Sequence, residues 1–414
     1  MRVFKPDYYD EFNCIASACD FTCCQEWTIA VDEDTFEKWH DMKVPEEAPR
    51  EKHREVLEGG RADDVNLSDF AQPKFENYAI KLNENGKCPF LNEQGLCALV
   101  LKYGEECLSK TCHTFPREKH EFSSRVEYAL SLGCKHALEC MWAKDVFCVL
   151  SAEEVGATSR TEEVSTSELS ETQFMIRDWF IEIASDQTLP VTKTLKVLFY
   201  LILDLYEMNE KKPLTEKSFL AYKDSGILMQ VTDVLQADKQ EKAQKSKSFQ
   251  GEVSYDTFLE DNELLLDIAE NYRKKKIYAD YLNPIALRAE HYEKKSALRG
   301  LQDRLDRFSE IWRNYETKMR ILICEELYSS SLLPDSTMYH MVMKLEWLAI
   351  EYAVIRQWMF LQWDMAGALT FEDLKTAVSV IFRMTGYSDD DIEEYLDHSF
   401  QSVIWDWGYL ALII

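Results

Sequence analysis

Eleven of the 12 cysteines in this 414-residue chain fall within its first 148 residues, and only Cys324 lies beyond. Cysteines that merely fill a core do not segregate this way, so the first third reads as a module of its own. The opening residues, Met1-Arg2-Val3-Phe4-Lys5-Pro6-Asp7, hold no apolar stretch and no small-residue cleavage site of a secretory signal. A cytoplasmic location is therefore expected. Thiols stay reduced there, and a cysteine cluster reads as metal or redox chemistry before it reads as a disulfide framework.

The spacings narrow the chemistry. Cys14, Cys19, Cys23 and Cys24 bring four sulfurs within eleven residues. Side chains of the adjacent pair Cys23-Cys24 point in different directions, so both reach one centre only where the backbone turns sharply. A second group follows: Cys88, Cys97, Cys107 and Cys112, then Cys134, Cys140 and Cys148. Asn92-Glu93-Gln94-Gly95 is a turn signal that folds Cys88 and Cys97 towards each other as a hairpin. Thiolate selects zinc, cuprous copper or iron–sulfur clusters. No C-x2-C occurs, so ordinary zinc knuckles are absent. The C-x3-C-x2-C triplet of radical enzymes is absent too, because Glu26 stands where its last cysteine would be. These loops can assemble one four-sulfur site with thiols left over, or two sites; the alternative is a reduced, thiol-rich core.

Charge and glycine content exclude other classes. With 47 Lys and Arg against 74 Asp and Glu, the formal net charge is −27. That disfavours nucleic acid, whose binding is driven by phosphate neutralisation, and anionic membrane surfaces. A basic, lysine-bearing partner is attracted instead. The most apolar short run, Val197 to Leu203, is far below the roughly 20 residues of a membrane span. Only 13 glycines are present and none are spaced as G-x-G, which removes the dinucleotide fingerprint and the Walker loop.

Three regions are expected: a Cys-rich domain over 1–150, a Ser-, Thr- and Glu-rich linker or loop over 151–173, and a helical domain over 174–414. Val197, Leu198, Leu201, Ile202 and Leu205 recur at helical spacing. So do Leu264, Leu265, Ile268 and Tyr272, and later Met341, Leu345, Leu348, Tyr352, Ile355 and Met359. The aromatic stripe Trp347, Tyr352, Trp358, Phe360 and Trp363 reads as helix core. Gln236 to Gly251 reads as a flexible, charged break. Pro213, Pro284 and Pro334 mark helix ends or starts. Ser336 is the expected N-cap of the long helix through Trp347, and Ser388 that of a helix opening on Asp389-Asp390-Asp391. The fold class is mainly α, with the N-terminal domain built of loops, short helices and one short hairpin.

The ordered pieces resemble a known family. Asn13-Cys14, Cys19, Cys23-Cys24-Gln25-Glu26-Trp27-Thr28-Ile29 and Asp32 are similar to the opening of the flagellin lysine-N-methylase family, within the broader CxxxCC group of zinc- or iron-chelating proteins. Cys88-Pro89-Phe90-Leu91, Leu96-Cys97, Gly104-Glu105, Leu108-Ser109, Thr111-Cys112, Phe115-Pro116-Arg117 and Leu130-Ser131-Leu132-Gly133-Cys134 follow in the family's order. The resemblance covers about residues 5–140. It implies an iron–sulfur cluster, [4Fe–4S] first and zinc as the alternative, and methyl transfer from S-adenosylmethionine to lysine side chains of a protein such as flagellin. The implied ligand candidates are Cys14, Cys19, Cys23, Cys24, Cys88, Cys97, Cys112 and Cys134. Cys107, Cys140, Cys148 and Cys324 match no family position. Two departures stand out: Gly133-Cys134-Lys135 replaces the family's Ser-Cys-Pro, and His113 replaces the basic residue after its Thr-Cys pair.

Methyl transfer to lysine requires a neutral amine, although its ordinary pKa is about 10.4, and an amine aligned with the methyl carbon. No catalytic residue is assigned from sequence. Tyr8, Asp32 and Glu105 are polar candidates near the cysteines, each equally readable as structural. Arg117 is the cofactor-binding candidate, because a guanidinium pairs with a carboxylate through two parallel bonds. His113 reads as a ligand or as a donor to a ligand sulfur, and Trp27 as a cover over the cluster loops. Two other functions compete with the enzyme: a metal-stabilised module that grips a basic client without catalysis, and a redox iron–sulfur protein.

Overall fold

The computed structural model describes residues 2–46, 48, 65–74, 77–153, 168–235, 255–386, 388–399 and 407–414. Helices dominate from residue 168 onward. They gather around α13 (Met338–Ala366), which is buried on every side over most of its length. A helix apolar around its whole circumference belongs at the centre of a bundle. Around it pack α6 (Val191–Lys211), α9 (Tyr255–Glu270), α10 (Lys276–His291), α11 (Leu301–Trp312), α14 (Phe371–Thr385), α15 (Asp389–Ser399) and α16 (Trp407–Ile413). The three runs with helical spacing lie in α6, α9 and α13, and the aromatic stripe is core as expected.

The N-terminal third carries more strand than the one hairpin expected from sequence. A four-stranded sheet has the order β5 (Arg117–Glu121), β6 (Arg125–Leu130), β1 (Arg2–Pro6), β7 (Val149–Glu153). β1 runs parallel to β6 with Val3 opposite Val126, and antiparallel to β7. β2 (Ala30–Val31), β4 (Asn77–Ile80) and β3 (Ala71–Lys74) form a second, antiparallel sheet. β5–β6 and β3–β4 are short local hairpins, whereas β1 and β2 pair with strands distant in sequence, which no local pattern announces.

Two hydrophobic cores result. The larger joins Tyr8, Phe12, Phe21, Leu130, Leu138 and Trp142 to the helices. A buried ion pair helps tie the first sheet to α5 (Glu168–Ser185): Arg177 donates to both carboxylate oxygens of Glu127, at 2.6 and 2.7 Å, with each side chain 1% exposed. The smaller core gathers Ile29, Val31, Trp39, Phe70, Cys88, Phe90 and Cys107, with Cys24, Cys97 and Cys112 packed against it.

Several expected boundaries shift. β7 takes up the start of the 151–173 stretch and α5 begins at Glu168, while 154–167 lie outside the described residues. The break over 236–251 also lies outside them. Pro284 sits inside α10 rather than at an end. It deprives the helix of one bond to the carbonyl four residues back, and packing on α9 and α13 holds α10 in place. Thr337, one residue after the expected Ser336, caps α13 by accepting from the His340 amide at 3.1 Å. Ser388 caps α15 as expected, its hydroxyl accepting from the Asp391 amide at 3.2 Å. Among the described residues no helix is long and apolar enough to cross a membrane.

Candidate metal centre

Three segments converge at the edge of the smaller core. The first is the loop through Cys23 and Cys24. It runs antiparallel beside residues 86–88, with Cys88 N donating to Cys24 O at 2.8 Å and Glu26 N donating to Gly86 O at 2.7 Å. Gly86 has a φ of +69°, the left-handed region that favours glycine, and a Cβ there would meet only the movable carboxylate end of Glu26. The second segment is the turn foreseen at Asn92–Gly95. The Asn92 side chain accepts from Gln94 N at 3.0 Å and Leu96 N at 2.8 Å, and Leu91 bridges antiparallel to Cys97. The third is α3 (Lys110–Thr114), whose N-cap Ser109 accepts from Cys112 N at 3.3 Å.

Asp32 locks this frame. Its carboxylate caps α1 (Glu33–His40) by accepting from Thr35 N at 3.2 Å, and accepts from Lys110 N at 2.9 Å where α3 begins. Trp39 Nε1 donates to Cys107 O at 2.8 Å, fixing the loop ahead of α3. Trp27 lies on the same frame, its indole N–H donating to Cys23 O and its ring 5.1 Å from that of Phe115.

The thiols respond to one another. Burial pushes Cys88 well above the ordinary thiol range, with Cys112, Cys97 and Cys23 adding to the shift. Burial raises Cys97 beside Cys23. It pushes Cys112 up to about 11, with Cys23, Cys97 and Cys107 adding to it. Cys23 is raised first by its bond with the Cys24 thiol, then by burial. Cys88 and Cys112 thus each lie near Cys23 and Cys97, with the Cys24 thiol bonded to Cys23 and Cys107 near Cys97 and Cys112. The Cys107 thiol donates to Gly104 O at 3.1 Å. As free thiols these groups stay protonated at neutral pH, and a cation must supply the charge that ionises them.

Cys19 and Cys134 form a second pair next to these thiols. Burial raises both, Cys134 to about 11. Between the two groups stands Arg383 of α14. Its guanidinium donates to Gly133 O at 2.8 Å, Thr22 O at 2.8 Å and Phe21 O at 2.6 Å, and lies 3.8 Å from the Phe21 ring centre. Burial lowers its pKa, while Tyr278 and the thiols of Cys23, Cys134 and Cys19 pull it back up. Arg383 was missed from sequence, because its partners are about 250 to 360 residues away and no local motif marks it.

The other candidates lie elsewhere. Cys14 is exposed, its sulfur accepting from Ala16 N at 3.5 Å. Arg117 donates to Phe12 O at 2.9 Å and stacks over the Phe12 ring. Tyr8 is buried and donates to Glu325. Glu105 sits in an exposed turn and His113 is exposed on α3. Cys140 is half-buried on α4 (Lys135–Trp142), Cys148 is exposed, and Cys324 is buried beside Ser185 in the helical core.

Among the described residues no three His, Cys, Asp or Glu side chains are disposed to hold a metal ion. By donor chemistry, soft thiols drawn from three loops suit zinc or an iron–sulfur cluster.

Comparison with known proteins decides the family. The model of the FliB lysine N-methylase C-terminal domain matches residues 177–413, more than half of the chain. The chain belongs to the FliB lysine N-methylase family. The FliB-domain match starts at Arg177 and contains Arg383, whereas the eight candidate cysteines all precede it. Flagellar biosynthetic protein FliU of Salmonella muenchen is 30% identical over 145 residues, 32% of this chain and 73% of FliU. Lysine-N-methylase of Salmonella typhimurium is 31% identical over 147 residues, 32% of this chain and 31% of that protein. Lysine-N-methylase of Salmonella choleraesuis is 30% identical over 135 residues, with 32% and 31% covered. The matched segment thus spans about a third of the length of these two lysine-N-methylases. No solved structure matches the chain significantly.

Proposed function

We propose that this chain is an S-adenosylmethionine-dependent protein lysine N-methyltransferase carrying a [4Fe–4S] cluster on Cys23, Cys88, Cys97 and Cys112, with flagellin or a flagellin-like protein as substrate. Family membership supports the reaction class, and the names of the relatives point to a flagellar substrate. The observation that supports the cluster assignment is the gathering of thiols from three segments at the smaller core: Cys88 and Cys112 each sense Cys23 and Cys97, and Cys97 senses Cys23. With all four irons ligated by thiolate, the cluster supplies structural cross-linking of three loops. Arg383 then holds the Cys19–Cys24 and Gly133–Cys134 segments against the helical part. The net charge of −27 favours encounter with a lysine-bearing surface.

The test uses the full chain purified without oxygen, S-adenosylmethionine labelled in its methyl group, and purified flagellin from the same source. Mass spectrometry of the digested flagellin should show label on lysine side chains. Iron-replete protein that transfers no label to flagellin or to any lysine-bearing protein of the source extract would remove the enzyme and leave a client-binding module.

A further inference from the structure

A chamber of about 280 Å³ opens between the first sheet and the helices, on the other side of α14 from the thiols. Glu118 and His120 of β5 form one wall, and Leu130 to Leu132 form the next. α13 contributes Lys344, Trp347 and Glu351, while the end of α14 contributes Phe382, Thr385 and the exposed Gly386. The remaining wall is a π turn, Leu327–Ser331, with Glu326 immediately before it. π turns interrupt helices rarely and concentrate at functional sites.

Three carboxylates face this space. Glu351 accepts from Thr385 Oγ1 at 2.5 Å. Glu118 is held by Ser131, yet burial pushes it up to about 7. Glu326 is only 9% exposed and lines the chamber, with the charge of Lys344 easing its burial. Burial drives its pKa well up, and Glu351, Glu118 and Glu325 reinforce the shift. The one lysine on the walls, Lys344, pairs with Asp389 at 2.8 Å. A carboxyl this far buried is costly to ionise, and it is retained where something supplies a counter-charge.

The same walls state what that partner is. Three carboxyls offer an anion no counter-charge, whereas a cation that enters lowers their raised pKa values and ionises them. A metal ion does not suit the arrangement, since no group of three His, Cys, Asp or Glu side chains among the described residues is disposed to hold one. A cation with an apolar stem fits both features: Glu326 and Glu351 meet the charge, and Trp347, Phe382, Leu130 and Leu132 pack the stem. The volume lies just below the ~300–1,000 Å³ range of ligand pockets, the scale of one side chain rather than a large cofactor.

We infer that this chamber receives an alkylammonium group through Glu326 and, resting on the reading of the chain as a lysine methyltransferase, that the group is the substrate's lysine side chain. Ser131 to Cys134 and the end of α14 are shared with the thiol region: Phe382 and Thr385 face the chamber while Arg383 between them grips the cysteine loops. The lysine therefore enters one loop away from the proposed cluster.

The test is calorimetric binding of N-acetyl-lysine methylamide, with the uncharged norleucine analogue as control, to the intact iron-replete protein. The lysine analogue should bind at least tenfold more tightly than norleucine. Glu326→Gln and, separately, Glu351→Gln should each abolish most of that preference while leaving circular dichroism and iron content unchanged. Equal binding of the two analogues, or an undiminished preference in both folded variants, would overturn the chamber assignment. Methyl transfer is measured on the same samples. Transfer that is unchanged in Glu326→Gln overturns the chamber and leaves the methyltransferase reading standing. A Glu326-dependent preference in protein that transfers no methyl supports an alkylammonium site and removes the reading of lysine as a methylation substrate.

Discussion

Replacing Arg383 by methionine tests whether the helical half holds the cysteine loops in place. The guanidinium bonds three backbone carbonyls, those of Gly133, Thr22 and Phe21, at 2.8, 2.8 and 2.6 Å. Hydrogen bonds to a charged group contribute ~1.5–3 kcal/mol each, so three independent bonds would total about 5–9 kcal/mol. They share one cation, methionine still fills the stem, and water reaches part of the vacated site, so the expected loss is about 3–5 kcal/mol, the range for breaking one side of a buried charged contact. Arg383→Lys should fall between, because one ammonium cannot span carbonyls on two loops. The assay is denaturant unfolding without oxygen, combined with the rate at which a chelator strips iron. Loss of stability in Arg383→Met should come with faster iron release. A destabilisation below about 1 kcal/mol with unchanged iron release would refute the idea that this residue staples the loops.

Three further outcomes follow from the geometry. Cys23→Ser and Cys88→Ser should each lose most bound iron, whereas Cys140→Ala and Cys324→Ala should retain it, as read by metal analysis. Arg177→Met should cost about 3 kcal/mol by leaving Glu127 with only its longer pair to Arg125 at 3.6 Å, and the double variant Glu127→Leu/Arg177→Met should recover part of that, giving a coupling energy in a denaturation cycle that is absent if the pair is solvated. Burial raises Glu118 to about 7 and Glu325 and Glu351 to about 8, so each binds its proton more tightly folded than unfolded. Their contribution is full below the ordinary carboxyl pKa of about 4.3 and is lost as pH rises through the folded values, so unfolding free energy should fall from about pH 5 to about pH 8 and then level; a rise across that window in urea titrations would contradict the assignment.

How much of this was legible depends on how local the signal was. The Asn92–Gly95 turn, the Ser388 cap and the three helix runs were readable because each rests on interactions within a few residues. The convergence of Cys88, Cys97 and Cys112 on Cys23 was foreshadowed by spacing, but its membership was not, because Cys14 and Cys19 share the same loop and only the fold turns Cys14 outward. Arg117, expected at a cofactor, lies on Phe12, since its strand aims it back at the chain's own first turn. The β1 strand and Arg383 depend on partners more than a hundred residues away. Glu326 was invisible for a different reason: an ordinary-looking Glu-Glu pair in a helix becomes notable only once a π turn and a sheet enclose it.

The measurement that bears most directly on the central claim is iron and acid-labile sulfide per chain, with a visible spectrum, on protein purified without oxygen. The account predicts about four irons and about four sulfides, a broad absorbance in the visible region, and loss of both iron and sulfide in Cys112→Ser. Zinc with no sulfide, or iron and sulfide that survive the removal of any two of Cys23, Cys88, Cys97 and Cys112, would contradict it.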